Sequence, residues 1–320
     1  MALQTHGLSR RFGDRLAVDN ASFSVERGRL TGFVGANGAG KTTVMRMILG
    51  VLAPSAGTVT LDGIELDQAT RRSFGYMPEE RGLYPKMPLR EQMVYFAMLH
   101  GLSKTEATAA SDRLLETLDL TERAKDPIEN LSLGNQQRAQ VAVSLVHQPT
   151  ALILDEPFSG LDPMAVDVIL SVLTQHAERG IPLMLSSHQL DVVERLCDDL
   201  VIISGGKILA AGSIEGLRQE YSKNMYALSA PHDLSWLAAV PGVTQADVVA
   251  VEGNWERPAS QSVTLTLSGS DDEQQTLLRR IIADLVARGP LISVGPVNTP
   301  LTEIFRDVVA GTNHDAEESA

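Results

Sequence analysis

Residues Gly35-Ala36-Asn37-Gly38-Ala39-Gly40-Lys41-Thr42-Thr43 constrain this chain more than any other stretch. They fit G-x-x-x-x-G-K-[ST], the phosphate-binding loop. The flanks agree with that reading. Leu30 to Val34 is a short apolar run, as a buried strand should be, and Val44 to Leu49 is a helix-forming run that stops at Gly50. Gly35, Gly38 and Gly40 let the backbone bend so that several N–H groups face one anion. The amino end of the following helix adds its positive partial charge. In such a loop Lys41 reaches the β- and γ-phosphates, the Thr42 hydroxyl ligates Mg²⁺, Thr43 donates to the α-phosphate, and Asn37 lies on the loop itself.

The length of 320 residues allows one large domain and a smaller one. A net charge of -13 argues against a polyanion-binding surface, so no nucleic-acid partner is expected. It also disfavours docking onto anionic lipid. The single cysteine, Cys197, excludes an intrachain disulfide and suits a reducing compartment. Neither a signal core at Met1 to Arg10 nor a run of roughly 18 apolar residues is present, which predicts a chain soluble by itself. If it works on a membrane, another chain must supply the pore.

In chain order, Thr5 to Glu26 predicts two short strands joined at Gly13-Asp14, with Phe12 just before the turn. Spacing alone makes Phe12 an ordinary strand aromatic. Val59 to Leu66 predicts a hairpin around Asp62-Gly63, and Phe74 to Met77 a strand ended by Pro78. From Leu89 to about Asp119 the pattern is helical, with Pro127 beyond it. A helix is expected over Gln136 to Leu145. Ala151 to Leu154 reads as a central strand buried on both faces and ending in Asp155-Glu156. Helix Ala165 to Arg179, strand Leu183 to Ser187, helix Leu190 to Cys197 and strand Leu200 to Ile203 follow, with His188 directly after the second of these. Character changes after about Tyr221. Strands at 226–228, 247–249 and 263–267, a helix over Asp271 to Arg288 and a short helix over Leu301 to Val309 predict a separate α+β domain without a cluster of catalytic residue types. His100, His147 and His176 lack metal-like spacing and read as surface or packing residues.

A phosphate loop alone fits kinases, GTPases and many ATPases, so the downstream residues must discriminate. Asp155 at the end of an apolar strand suits a Mg²⁺-associated carboxylate. Side chains alternate along a strand, so adjacent Glu156 points elsewhere and can act as a general base on water. Ser132 can cap a helix whose first turn holds Gly134 and Gln136, making a second anion-binding helix end.

The order of these motifs resembles the ATP-binding cassette family. The phosphate loop, Leu131 to Arg138 as a signature, Leu152 to Pro157, Ser159-Gly160-Leu161-Asp162 and His188 fall in that family's sequence order, over about Leu3 to Arg218. The resemblance implies an α/β fold: a P-loop nucleotide-binding cassette over 1–222 with a helical subdomain at about 80–150. A small C-terminal α+β domain over 223–310 and a disordered acidic tail over 311–320 complete the expected organisation. It implies a head-to-tail homodimer with two ATP molecules between the protomers. Lys41, Thr42 and Asp155 would hold ATP·Mg²⁺, and Ser132, Gly134 and Gln136 would cap the γ-phosphate held by the other protomer. Glu156 would be the catalytic base, His188 a switch residue at the γ-phosphate, Asp162 part of a loop at the dimer seam, and Phe12 the aromatic under adenine.

One position departs from that pattern. The family's glutamine after the strand ending at Met77-Pro78 is Glu79 here, followed by Glu80. A carboxylate can ligate Mg²⁺ but cannot donate as an amide can. The run Pro78 to Tyr84 is similar to a branch of drug, sodium and other export-type cassettes that carry a small C-terminal domain. The resemblance therefore implies an ATP-hydrolysing subunit that drives export through a separate membrane permease, cytoplasmic and peripheral on the inner face of the membrane. Contact with the permease would lie between Glu79 and about Leu102. The alternative is a soluble cassette ATPase acting in translation or DNA repair. Those relatives usually join two cassettes or carry a long coiled-coil insertion, and this chain has neither. A regulator without turnover would have no need of Glu156.

Overall fold

The computed structural model describes residues 2–80, 82–221, 224–251, 259–297, 299–306 and 308–309. The expected tail at 311–320, the 222/223 boundary and Arg81 within the export-type run lie outside the described residues. Contacts divide the chain into two units, Met1–Ile214 with Phe305–Ala320, and Glu215–Ile304.

The first unit is built on two sheets. Strands β1 (Ala2–Phe12) and β2 (Arg15–Glu26) form a long hairpin turning at Gly13-Asp14, with Phe12 paired to Arg15. Strand β3 (Leu30–Val34) follows, wholly buried, then the loop and helix α1 (Lys41–Ile48). Strands β4 (Ala56–Leu61) and β5 (Ile64–Glu65) make the expected tight hairpin, with Asp62 and Gly63 both at positive φ. This hairpin joins the first pair in a sheet ordered β2-β1-β4-β5. A short helix α2 (Gln68–Arg71) leads to β6 (Phe74–Met77).

Between β6 and the next strand lies a helical stretch. The single helical pattern expected from Leu89 to Asp119 is interrupted. Helix α3 (Leu89–Leu99) ends near Gly101, whose φ of 95° a side chain resists. Helix α4 (Lys104–Thr117) restarts behind a reciprocal cap between Ser103 and Glu106. Helix α5 (Leu133–Leu145) begins earlier than expected, capped by Ser132 Oγ accepting from the Asn135 N–H at 3.3 Å.

Strand β7 (Ala151–Leu154) is buried throughout, as its apolar run requires. Helix α6 (Pro163–Glu178) is capped by Asp162, which accepts from the Ala165 N–H at 2.9 Å. Then come β8 (Leu183–Ser187), α7 (Leu190–Leu196), β9 (Asp199–Ser204) and β10 (Lys207–Ser213). The second sheet is ordered β10-β9-β3-β8-β7-β6, with β9, β3, β8, β7 and β6 parallel to their neighbours and only β10 antiparallel. In a parallel sheet the strand ends on one edge point at the same crevice, and ligands bind there. Here the carboxyl ends of β3, β6, β7 and β8 deliver the phosphate loop, Glu79, Asp155-Glu156 and His188 to one side.

Helix α8 (Ile214–Tyr221) follows β10. The second unit is antiparallel. Strands β11 (Met225–Ala230), β12 (Val243–Val251) and β13 (Ser260–Leu267), helix α9 (Asp271–Arg288) and strand β14 (Ser293–Pro296) give a sheet ordered β12-β13-β11-β14. Leu228, Val263, Leu265 and Leu267 from the sheet pack with Ile281 and Leu285 from α9. Alternation along β13 sends Val263, Leu265 and Leu267 inward and the intervening threonines outward. Residues 301–306 are helical.

Candidate nucleotide-binding site

The loop from Gly35 to Gly40 reaches α1 through three glycines, each at a position a side chain would clash with or strain. A Cβ on Gly35 would stand 2.3 Å from the Ile203 carbonyl oxygen, so no side chain fits there. Gly38 and Gly40 have φ of 80° and 112°, the left-handed side of backbone space. Gly40 caps α1 without a side-chain hydrogen bond, and no acidic residue sits in the first turn. The free N–H groups at this helix end therefore face outward, a ready anion site.

Lys41 is 7% exposed. Its Nζ donates to the carbonyl of Gly35 at 2.6 Å and lies 3.4 Å from that of Ala36, both within the loop. The ammonium is thus held over the cradle rather than in solvent. Thr42 Oγ1 donates to Asp155 Oδ2 at 3.1 Å, which ties the loop to the end of β7. Asp155 is 1% exposed, and its other oxygen accepts from Ser186 Oγ on β8. Ser186 Oγ in turn accepts from the Glu156 N–H at 3.0 Å. Ser186 escaped the sequence reading. The only signal was its place at the end of a buried strand, two residues before His188.

Glu156 is 8% exposed, and its Oε1 meets His188 Nδ1 at 2.9 Å. Burial raises its pKa above the ordinary carboxylate value, while the hydrogen bond to His188, the charge of His188 and the charge of Lys41 pull it back down. A carboxyl so placed is a stronger base than a solvated one, which general-base chemistry on water favours. Glu156 also has a φ of 53°, in the left-handed region, a conformation costly for a residue with a side chain.

A cleft of about 480 Å³ gathers Phe12, Asn37, Gly38, Gly40, Lys41, Thr42, Thr43, Glu79, Asp155 and Glu156, with Arg15 and Ala17 beside them. Phe12 is half exposed on its rim, and the Arg10 guanidinium covers one ring face at 4.7 Å from the centroid. Arg15 and Ala17 were not singled out from sequence, because nothing at the exposed start of β2 marks its cleft-facing side. Oxygen donors suited to a hard cation converge here, namely the Thr42 hydroxyl and the Asp155 carboxylate, with Glu79 lining the same space. These residues fit Mg²⁺. The cation would neutralise charge on the phosphates, and Thr42, Asp155 and Glu79 would hold it.

Ser132, Gly134 and Asp162 do not line this cleft. They lie at the amino ends of α5 and α6, where the Leu161 side chain approaches Gly134. Gln136 sits in the first turn of α5 and turns back into its own chain. Its Nε2 donates to the carbonyls of Ile128 and Leu131 at 3.0 and 2.9 Å, so both amide protons are engaged within the chain.

Comparison with known proteins agrees with this geometry. Residues 18–159 match the family model described as ABC transporter. The chain is 36% identical over 268 residues to the uncharacterized ABC transporter ATP-binding protein YhaQ of Bacillus subtilis, covering 84% of this chain and 87% of that one. It is 38% identical over 213 residues to Nod factor export ATP-binding protein I of Ralstonia nicotianae, covering 66% of each. A solved structure described as an ATP-binding subunit of an ABC transporter superposes with a TM-score of 0.64 at 32% identity, over 69% of this chain and 93% of its own length. Fold, site and relatives together place this chain in the ABC transporter family, among its ATP-binding subunits.

Proposed function

We propose that this ATP-binding subunit hydrolyses ATP to drive export through a separate membrane-spanning permease. The single observation that carries the reading is the convergence, in one cleft, of an open phosphate loop, a buried Asp155 tied to Thr42, and a buried Glu156 bonded to His188. ATP would lie with its phosphates on the loop from Gly35 to Thr43, Lys41 on the β- and γ-phosphates, and adenine against Phe12. Thr42, Asp155 and Glu79 would hold Mg²⁺.

Glu156 would take the proton of a water attacking the γ-phosphorus. The bond to the β–γ bridging oxygen breaks, and ADP and inorganic phosphate leave. His188, already against Glu156, would orient that carboxylate and sense the γ-phosphate. Ser132 and Gly134 at the α5 end, with Asp162 at the seam, would face the nucleotide of a second copy. Leu133 and Met164, 61% and 80% exposed beside these residues, are an apolar surface that a second copy would cover. Residues 1–222 would form the cassette, with the helical part at about 80–150, and 223–310 an accessory domain.

The permease contact is read at the helical part. Tyr84 stacks on Phe96 with centroids 6.1 Å apart, Tyr95 meets both edge-on, and Tyr84, Tyr95, Met98 and Leu99 are all well exposed. Aromatic and methionine side chains are enriched in interface cores. Among the described residues no helix is long and apolar enough to cross a membrane, so the pore would come from the partner. Export follows the printed name of the Nod factor relative and the Pro78 to Tyr84 run. The chain would sit on the inner membrane face through that permease, with no nucleic-acid partner, consistent with its net charge of -13.

The test is affinity capture of the tagged full chain from detergent-solubilised membranes, with partners identified by mass spectrometry. A multi-span membrane protein is expected, and its recovery should fall on Tyr84→Ala with Tyr95→Ala. Capture of ribosomal or DNA-bound proteins with no membrane chain would overturn the reading.

A further inference from the structure

Helix α5 reaches the hydrolysis site of its own chain through one buried amide. Gln137 is 8% exposed, and its Nε2 donates to the carbonyl oxygens of Glu156 and Pro157, both at 3.0 Å. These are consecutive carbonyls in the turn that follows β7. The Glu156 carbonyl also accepts from the Ser159 N–H at 3.2 Å, which closes that turn.

Glu156 adopts a left-handed backbone conformation that persists only where its surroundings hold it. Those surroundings are visible. On the amino side the Glu156 N–H is fixed by Ser186 Oγ at 3.0 Å. On the carboxyl side the carbonyls of Glu156 and Pro157 are fixed by Gln137. A primary amide suits this position because its single nitrogen carries two protons, one for each carbonyl. A lysine or arginine here would place a cation next to the base and depress its pKa. A glutamate would set a third oxygen against two others.

We propose that Gln137 is a positioning residue for hydrolysis: it acts through the backbone of Glu156 to aim the carboxylate into the cleft. The proposal rests on the reading of Glu156 as the base. The Gln137 amide bonds the Glu156 and Pro157 carbonyls and neither Lys41 nor the loop, so nucleotide binding should not depend on it. The same helix carries Ser132 and Gly134 at its amino end, so a shift of α5 is passed to the base through one side chain.

The experiment is a double-mutant cycle on the purified full chain, with ATP hydrolysis measured at steady state and in single turnover. Gln137→Met keeps the length and removes the donors. It should lower kcat by roughly 10- to 100-fold, the loss expected when a catalytic group is misplaced by about 1 Å. KM for ATP and the thermal midpoint should stay near wild type. In a Glu156→Gln background the same substitution should change the residual rate little, because its route to the chemistry is already removed. An unchanged kcat in Gln137→Met, or an equal drop in both backgrounds, would overturn the proposal. Should Gln137→Met lose its folded transition, Gln137→Asn, which keeps the amide on a shorter stem, is taken through the same cycle and judged by the same two results. Wild-type turnover by Glu156→Gln alone is a different failure: it would remove the base itself, and the positioning proposal with it.

Discussion

In the first unit the crevice side of the parallel sheet buries charge. Lys41, Asp155 and Glu156 are each under 10% exposed. In the second unit the inner face of the sheet is aliphatic, and the buried polar side chains described there are Gln274 and Thr299, both neutral. Gln274 is content with a local partner, donating to the Gly269 carbonyl at 2.6 Å beside the α9 cap. Burying an ionised group costs free energy that apolar packing does not. The first unit therefore carries buried charges that cost stability and that the proposed hydrolysis would use, whereas the residues described as buried in the second unit are apolar or neutral. Substitutions should part accordingly: in one unit they should move turnover, in the other stability.

The largest expected effect is on turnover. Glu156→Gln keeps the shape and removes the proposed base, and should lower kcat by about 10²- to 10⁴-fold, the usual reach of general-base catalysis. Gln274→Leu, the counterpart in the second unit, should leave kcat at the wild-type value. Steady-state phosphate release reads both. A comparable loss in Gln274→Leu would erase the distinction between the units.

Next in size is a pure packing change. Leu285 on α9 is fully buried among Leu228, Val263 and Leu265. Leu285→Ala should cost about 2–5 kcal/mol in denaturant unfolding. Below the transition the rate per folded molecule should be unaffected. A fall in kcat at unchanged stability would show that the second unit takes part in the chemistry.

Most of the first unit was legible in the sequence because its signals are local. The phosphate loop prescribes a strand before it and a helix after it, and both are present. Ala151 to Leu154 and Leu183 to Ser187 are apolar runs with one reading, and each is observed over the range expected. The helical stretch was less legible. Leu89 to Asp119 holds a continuous helical period, and the break rests on one glycine and one serine, Gly101 and Ser103, whose effect depends on backbone geometry. That the Gln136 amide turns toward Ile128 and Leu131 was not legible, because a spacing argument says which residues share a helix end, not which way a flexible amide turns. Gln137 and Ser186 were missed for a related reason: they bond backbone atoms of residues 19 to 30 positions away, and no local pattern marks such a contact. In the second unit the long α9 was read over its full range, while β14, short and mostly exposed, had too few residues to show a period.

A smaller effect sharpens the contrast by pH. Burial raises the Glu156 pKa, so the folded chain binds this proton more tightly than the unfolded chain does. Its stabilising contribution is complete below the ordinary carboxylate value of about 4.3 and is lost as pH rises through the raised value. Above the raised value the ionised group is a net cost. Glu156→Gln should therefore raise the thermal midpoint at neutral pH, with the gain shrinking as pH falls toward the ordinary carboxylate range. A midpoint lowered by Glu156→Gln at neutral pH would mean that the bond to His188 outweighs burial, and that the first unit gains stability from its charge.

The smallest effect concerns a buried polar group outside the chemistry. Gln140, one turn beyond Gln137 on α5, is 4% exposed. Its Nε2 reaches the Glu80 carbonyl only at 3.5 Å, and its Oε1 has no hydrogen-bond partner. At that length the amide gains little, while the orphaned oxygen bears the full desolvation penalty of a buried acceptor. Gln140→Leu removes both and fills similar space. The unfolding midpoint should hold or rise slightly, and kcat should be unchanged. If instead turnover fell while stability held, the contact with Glu80 would matter to the loop that follows Glu79. The buried glutamines of α5 would then serve function at two points of the site, one at Glu156 and one near the cation ligand.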